Sequence, residues 1–199
     1  MELVLATRNQ HKVTEISGML KNLGIRVRSL AEFRDAPEVI EDGTTYEENA
    51  LKKARSAAAF TGKPALADDT GLEVDALEGR PGVHAARFAG DRCSYQDNIS
   101  KLLTLLKGVP REHRGARFVC VLALVRPDGR EEMVRGELEG WITEEPVGTE
   151  GFGYDPVFFS PQAEKTLAEL SPEEKNRISH RRRALDLARE LFKRETIGA

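Results

Sequence analysis

Two rhythms of apolar residues alternate along the chain, and the first switch between them falls inside "LVLATRNQHKVTEI", Leu3 to Ile16. Leu3 to Ala6 is an apolar run suited to a short strand. Val13, Ile16, Leu20 and Leu23 then recur at helical spacing until Gly24, which predicts a helix. The polar residues Thr7, Arg8, Asn9 and Gln10 lie at the junction, with Thr7 and Gln10 as candidate caps. "IRVRSL" alternates like a second strand, and "PEVIEDGTT" is an acidic turn-rich loop. In "TYEENALKKARSAAAF" Thr45 and Glu48 have capping-box spacing, alanines are dense and Gly62 stands just past the end, which predicts a second helix.

Farther on, "PALADDTGLEVDALEGRPGVHAARFAG" places acids directly after an apolar stretch, predicting a strand that ends in a functional loop. "YQDNISKLLTLLKG" is an amphipathic helix closed by Gly108. "GARFVCVLALVRPDGREEMVRGELEGWI" reads as a buried strand, a Pro-Asp-Gly turn and an antiparallel partner. A glycine-rich loop, "EEPVGTEGFGYDPVFFSP", leads to a short strand. "LSPEEKNRISHRRRALDLARELFKRE" reads as one last helix, capped by Ser171, with Pro172 in the first turn and Glu174 completing a capping box.

At 199 residues the chain is long enough for a single domain, compact or two-lobed, that buries roughly 70% of its unfolded surface. Its net charge of -3 offers no general attraction to nucleic acid or an anionic membrane. Cys93 and Cys120 can pair only once, and Cys120 sits in an apolar run that suits a buried free thiol, so a reducing, cytoplasmic setting is expected. The N-terminus has no basic start followed by a long apolar stretch, and no run is long enough to span a membrane.

The familiar phosphate-loop and dinucleotide signatures are missing, since "GFGYDP" lacks a third glycine and a following helix. His11, His84, His113 and His180 show no metal-ligand spacing, and there is no serine-nucleophile elbow. The acids remain. Asp68 and Asp69 would project to opposite sides of an extended backbone at a strand's end, so one could hold a hard cation such as magnesium while the other orients water or a lysine. The plainer alternative is an Asp-Asp-Thr-Gly turn that caps itself. Glu41 and Asp42 could add a carboxylate, although an acidic loop is more often solvated surface. In "KNRISHRRR", continuous helical geometry puts Lys175, Ser179 and Arg182 near one face, with His180, Arg181 and Arg183 around the others. Such cations are usually solvated, but one or two could reach a bound anion. Phe152 and Tyr154 are either core or a platform for a flat base, with Asp155 placed to read the base's edge.

Taken together, "LATRNQHKVTEI", "ADDTGLEVDAL" with "GRPGVHAARFAG", "GFGYDPVF" and "AELSPEEKNRISHRRRAL" resemble, in order and spacing, the inosine triphosphate pyrophosphatase family. The resemblance covers nearly the whole chain, 1–199, as one nucleoside-triphosphate pyrophosphatase domain. It implies an α/β fold with a mixed twisted central sheet flanked by helices, two lobes and a cleft. The implied activity is hydrolysis of ITP, dITP and XTP to the monophosphate and pyrophosphate, with magnesium, by a homodimer. Carried onto this chain, it puts Thr7, Arg8, Asn9, Gln10, His11 and Lys12 on the triphosphate, where the helix start would add backbone N–H groups. Glu41 and Asp69 become the magnesium ligands, with Asp69 also the proton acceptor and Asp68 beside them. Thr70 stands where serine is common. Phe152, Gly153, Tyr154, Asp155, Lys175, His180 and Arg181 form the base pocket, and Glu150 and Arg182 depart from the family's pattern. Two other readings are a Maf-type nucleotide pyrophosphatase and a non-catalytic nucleotide-binding regulator. The motif order disfavours the first, and intact Lys12, Glu41, Asp68 and Asp69 disfavour the second.

Overall fold

The computed structural model describes residues 2–21 and 24–196, so Leu23, expected in the first helix, lies outside the described residues. An eight-stranded mixed sheet forms from β1 (Glu2–Leu5), β2 (Arg26–Ser29), β3 (Ala65–Val74), β4 (Pro81–Gly82), β5 (Gly115–Val125), β6 (Glu131–Ile142), β7 (Phe158–Ser160) and β8 (Lys165–Thr166). The path runs β2-β1-β3-β5-β6-β7-β8, with β4 paired to β3. The helices are α1 (Gln10–Leu20), α2 (Tyr46–Thr61), α3 (Tyr95–Leu105), α4 (Pro172–Ile178) and α5 (His180–Thr196). The mixed α/β class matches the expectation from the sequence.

The chain divides into two compact units. Unit 1 comprises Met1–Asp69, Cys120–Gly136 and Arg181–Ala199, and unit 2 comprises Thr70–Val119 and Glu137–His180. In unit 1, β1 pairs in parallel with β2 and, through Val4↔Ala65 and Leu5↔Leu66, with β3. Parallel strands need a crossover, and α1 and α2 supply the two. Leu3, Leu5, Leu66, Leu122 and Leu124 build the core with Ile16 and Leu20 of α1 and Ala184, Leu185, Ala188 and Phe192 of α5. The steps of three and four residues put one apolar stripe of each helix on the sheet.

In unit 2, β3 pairs with β4, β6 with β7, and β7 with β8, all antiparallel. Its core gathers Leu72, Val74, Ile99, Leu102, Leu106, Phe118 and Phe158, with the last two rings 4.6 Å apart. The β5–β6 connection closes as expected, through Arg126 N–H to the Arg130 carbonyl at 3.0 Å.

Two expectations are corrected. The strand containing Asp68 and Asp69 does not end there but runs on to Val74, because the chain beyond them finds a new partner in β4. The last helix is two helices. Ser179 leaves helical geometry (φ -62, ψ 155) while its N–H still closes on the Lys175 carbonyl, so α4 ends and α5 starts afresh. Lys175, Ser179 and Arg182 therefore do not share one helical face.

Candidate active site

The site in unit 1 starts from the end of the β1 ladder. That ladder's last pair with β3 is Leu5↔Leu66, and Asp68 and Asp69 lie two and three residues beyond it on β3, still extended. A strand turns successive side chains to opposite faces, so the two acids meet different partners. Both are buried, at 2% and 6% exposure. Asp68 Oδ2 is 3.0 Å from Lys12 Nζ of α1 and accepts from Arg181 Nη2 of α5 at 3.2 Å. The same guanidinium donates through Nη1 to Glu15, one turn along α1 from Lys12. On the other side, Lys53 Nζ of α2 donates to Asp69 Oδ1 at 2.8 Å and to Glu41 at 2.6 Å.

Four carboxylates thus meet three cations, and the electrostatics follow from that imbalance. Burial alone would raise Asp68, yet Lys12, Arg181 and Lys53 together hold its carboxyl far below the usual range. Asp69 has the weaker set of partners. Burial raises it to about 6 against the pull of Lys53 and Lys12, and a hydrogen bond shared with Glu41 adds to the rise. Glu41, half-exposed, is kept low by Lys53 despite its own desolvation. Asp69 is therefore the more readily protonated of the two and the better placed to take up a proton. Lys53 is buried, but Asp69, Asp68 and Glu41 outweigh the desolvation and keep it charged. Removing one member of such a buried network costs about 3–5 kcal/mol, because the charge left behind is uncompensated.

The junction before α1 differs from the expected capping pattern. Asn9 is the cap: its Oδ1 accepts from His11 N–H at 3.0 Å and from Lys12 N–H at 3.4 Å. Thr7 supports it by accepting from Asn9 N–H at 3.1 Å, and Gln10 is the first helical residue. Two of the amides expected to greet an anion are therefore already engaged. Arg8 directs a guanidinium nitrogen to the Ala36 carbonyl at 2.7 Å. Lys12 remains as the cation of this segment that reaches an acid of the site.

Unit 2 assembles the aromatic loop. Asp155 Oδ2 accepts from Phe152 N–H at 2.8 Å and from Lys175 Nζ at 2.6 Å, and both charged side chains are almost fully buried. The ammonium also lies 4.7 Å from the centre of the Phe152 ring, which suits a cation–π contact. Asp155 is therefore an internal brace as well as a candidate reader of a base. Gly151 fits this brace because φ is +75 and an added Cβ would fall 2.2 Å from the Asp155 carboxylate. Gly153, next in the loop after Phe152, has φ +64. Tyr154 is core, with its hydroxyl donating to the Ala85 carbonyl at 2.9 Å, while half-buried Phe152 has exposed Tyr95 as an aromatic neighbour at 6.1 Å. His180 is buried and stacks on Phe118 at 4.7 Å. Thr70 follows Asp69 on β3 and is half-buried.

The partners of Arg181 are Asp68 and Glu15 of unit 1, whereas the resemblance grouped it with Phe152, Asp155 and Lys175 of unit 2. Arg182 pairs with Asp186 along α5 and Arg183 is exposed. Sequence reasoning missed Lys53, Glu15 and Asn49. For two of these a signal existed: Asn49 and Lys53 stand four apart on the α2 face occupied by Ala50, Ala54, Ala57 and Ala58, where polar side chains need a partner.

A family model described as the Ham1 family matches residues 3–191. A dITP/XTP pyrophosphatase of Desulforamulus reducens is 54% identical over 98% of this chain and 96% of its own. One from Geobacter sulfurreducens is 53% identical over 94% of each chain. Among solved structures, a HAM1 protein from Coxiella burnetii superposes with a TM-score of 0.88 at 42% identity, covering 98% of this chain and 99% of that one. Matched along nearly its whole length in both sequence and fold, the chain belongs to the Ham1 family.

Proposed function

We propose that this protein hydrolyses noncanonical purine nucleoside triphosphates, ITP, dITP and XTP, to the monophosphate and pyrophosphate. The observation that carries the reading is the array of Lys12, Lys53, Asp68, Asp69 and Glu41, buried at Lys53, Asp68 and Asp69, in a family whose similar members bear the name dITP/XTP pyrophosphatase. Lys12 meets the triphosphate's charge and Asp68 fixes its ammonium. Asp69 accepts the proton of the attacking water, and Lys53 holds Asp69 in place. In unit 2, Phe152 offers a ring face to the base, while the Asp155–Lys175 pair holds the loop that carries it.

The reading includes magnesium, held by Glu41 and Asp69. Among the described residues there is no group of three or more metal-ligating side chains. That fits a cation that takes one or two carboxylates and completes its shell with water and substrate phosphates. The donor set also fits, because the Glu41 and Asp69 carboxylates converge on the single Lys53 ammonium at a place where acids outnumber bases. When bound, the ion would neutralise triphosphate charge. The reading further includes a homodimer in the cytoplasm. Cys93 and Cys120 are both free thiols, and no described helix is long and apolar enough to cross a membrane.

With magnesium, the protein is expected to release pyrophosphate from ITP and XTP far faster than from ATP or GTP; equal rates on all four, or orthophosphate as sole product, would refute the assignment. Two variants separate the roles. Asp69→Asn should lose most of kcat while ITP still binds, and retained turnover would remove Asp69 as acceptor. Arg181→Ala should slow all substrates, because Asp68 loses a partner, and should slow ITP more than ATP if the guanidinium also reads the purine oxygen. Equal losses on the two nucleotides would confine Arg181 to holding Asp68.

A further inference from the structure

The acidic loop before α2 lies along that helix through four consecutive contacts. Glu41 pairs with Lys53 at 2.6 Å and Asp42 with Lys52. Gly43 N–H donates to Asn49 Oδ1 at 2.8 Å, and Thr44 N–H donates to Glu48 at 2.7 Å. Each step forward in the loop meets a residue farther back on the helix, so the two segments run antiparallel. The Asp42 and Thr44 contacts are exposed, where such pairs contribute little. The Gly43 contact is buried, with Asn49 at 1% exposure. The main chain also comes close to the helix here: a Cβ on Gly43 would stand 2.6 Å from Asn49 Oδ1 and 2.8 Å from Glu48 Cβ. Asn49 Nδ2 completes the grip on the Gly43 carbonyl at 3.5 Å.

We propose that Asn49 is the positioning residue for Glu41: by holding the Gly43 main chain against α2, it fixes the carboxylate two residues earlier beside Lys53, on the same ammonium as Asp69, where the two carboxylates would hold a divalent cation. This rests on the reading of Glu41 as a metal ligand. The geometry is economical, because Lys53 lies four residues beyond Asn49 on the same helix face. One face of α2 therefore fixes both the loop's main chain and the partner of its carboxylate. Without Asn49, Lys53 still attracts Glu41, but the loop's approach is no longer fixed and the buried Gly43 N–H loses its acceptor.

The test uses the full chain with Asn49→Ala and, from the opposite side of the same contact, Gly43→Ala. Thr45→Ala removes the α2 cap hydrogen bond and serves as the control for loss of a contact at the helix start that does not hold Gly43. Partners that orient metal ligands are typically worth about 10–100-fold in metal affinity or activity. Both ladder variants should raise the magnesium concentration for half-maximal ITP hydrolysis about tenfold or more, with kcat at saturating magnesium within about twofold of the unsubstituted protein. Manganese binding to the nucleotide-free protein, followed by electron paramagnetic resonance, should weaken in parallel. Hydrogen exchange at the Gly43 amide should accelerate in Asn49→Ala, and the control should keep the unsubstituted metal requirement. An accelerated Gly43 amide with unchanged manganese binding and magnesium requirement would overturn the proposal. If the unsubstituted protein shows no response to either cation, the reading of Glu41 as a ligand fails, and the inference falls with it.

Discussion

The structure of unit 1 depends on keeping four carboxylates, Glu15, Glu41, Asp68 and Asp69, charged or nearly so beside three cations, Lys12, Lys53 and Arg181. Desolvation makes each acid costly on its own, so each has a base within contact distance. The deficit of one positive charge collects at the Glu41–Asp69 pair. There burial and the neighbouring carboxylate raise Asp69, whereas Asp68, with Lys12 and Arg181 on one oxygen, is driven well below the ordinary range. Adjacent residues on one strand thus acquire different chemistry from the elements on either side of the sheet.

Secondary structure serves this arrangement. The β1 ladder with β3 stops at Leu66, before the acids, and α1 presents Lys12 and Glu15 to one side. The alanine face of α2 lets the helix pack closely while Lys53 and Asn49 reach from it to the acids and the acidic loop. Unit 2 repeats the device on a smaller scale, with one buried carboxylate, Asp155, tying an ammonium to the main chain of the aromatic loop.

The strand-helix alternation, the β5–β6 hairpin, the Ser171 capping box and the Gly62 stop were legible because each rests on local pattern or turn chemistry. The break at Ser179 was not, since neither glycine nor proline marks it and the apolar spacing continues past it. The strand through Asp68 and Asp69 was hidden for a related reason: two acids and Thr-Gly look like a turn until β4 pairs with Leu72 and Glu73 beyond them. At the site, the acids and Lys12 announced themselves by type and position. Lys53 left a fainter trace, as a charged residue on the alanine face of α2, whereas Glu15 looks like ordinary helix surface in sequence and only tertiary packing shows that it meets Arg181. Arg181 was visible as a cation, but its partners lie far away in the chain.

In the mechanism we propose for this array, water is activated at Asp69 and attacks the α-phosphoryl group, so the bond to pyrophosphate breaks in one step. Hydrolysis of ITP in water enriched in oxygen-18, with mass analysis of both products, tests this most directly. Label in the monophosphate and none in pyrophosphate is the predicted result. Label in pyrophosphate would place the attack on the β-phosphoryl group and contradict the mechanism.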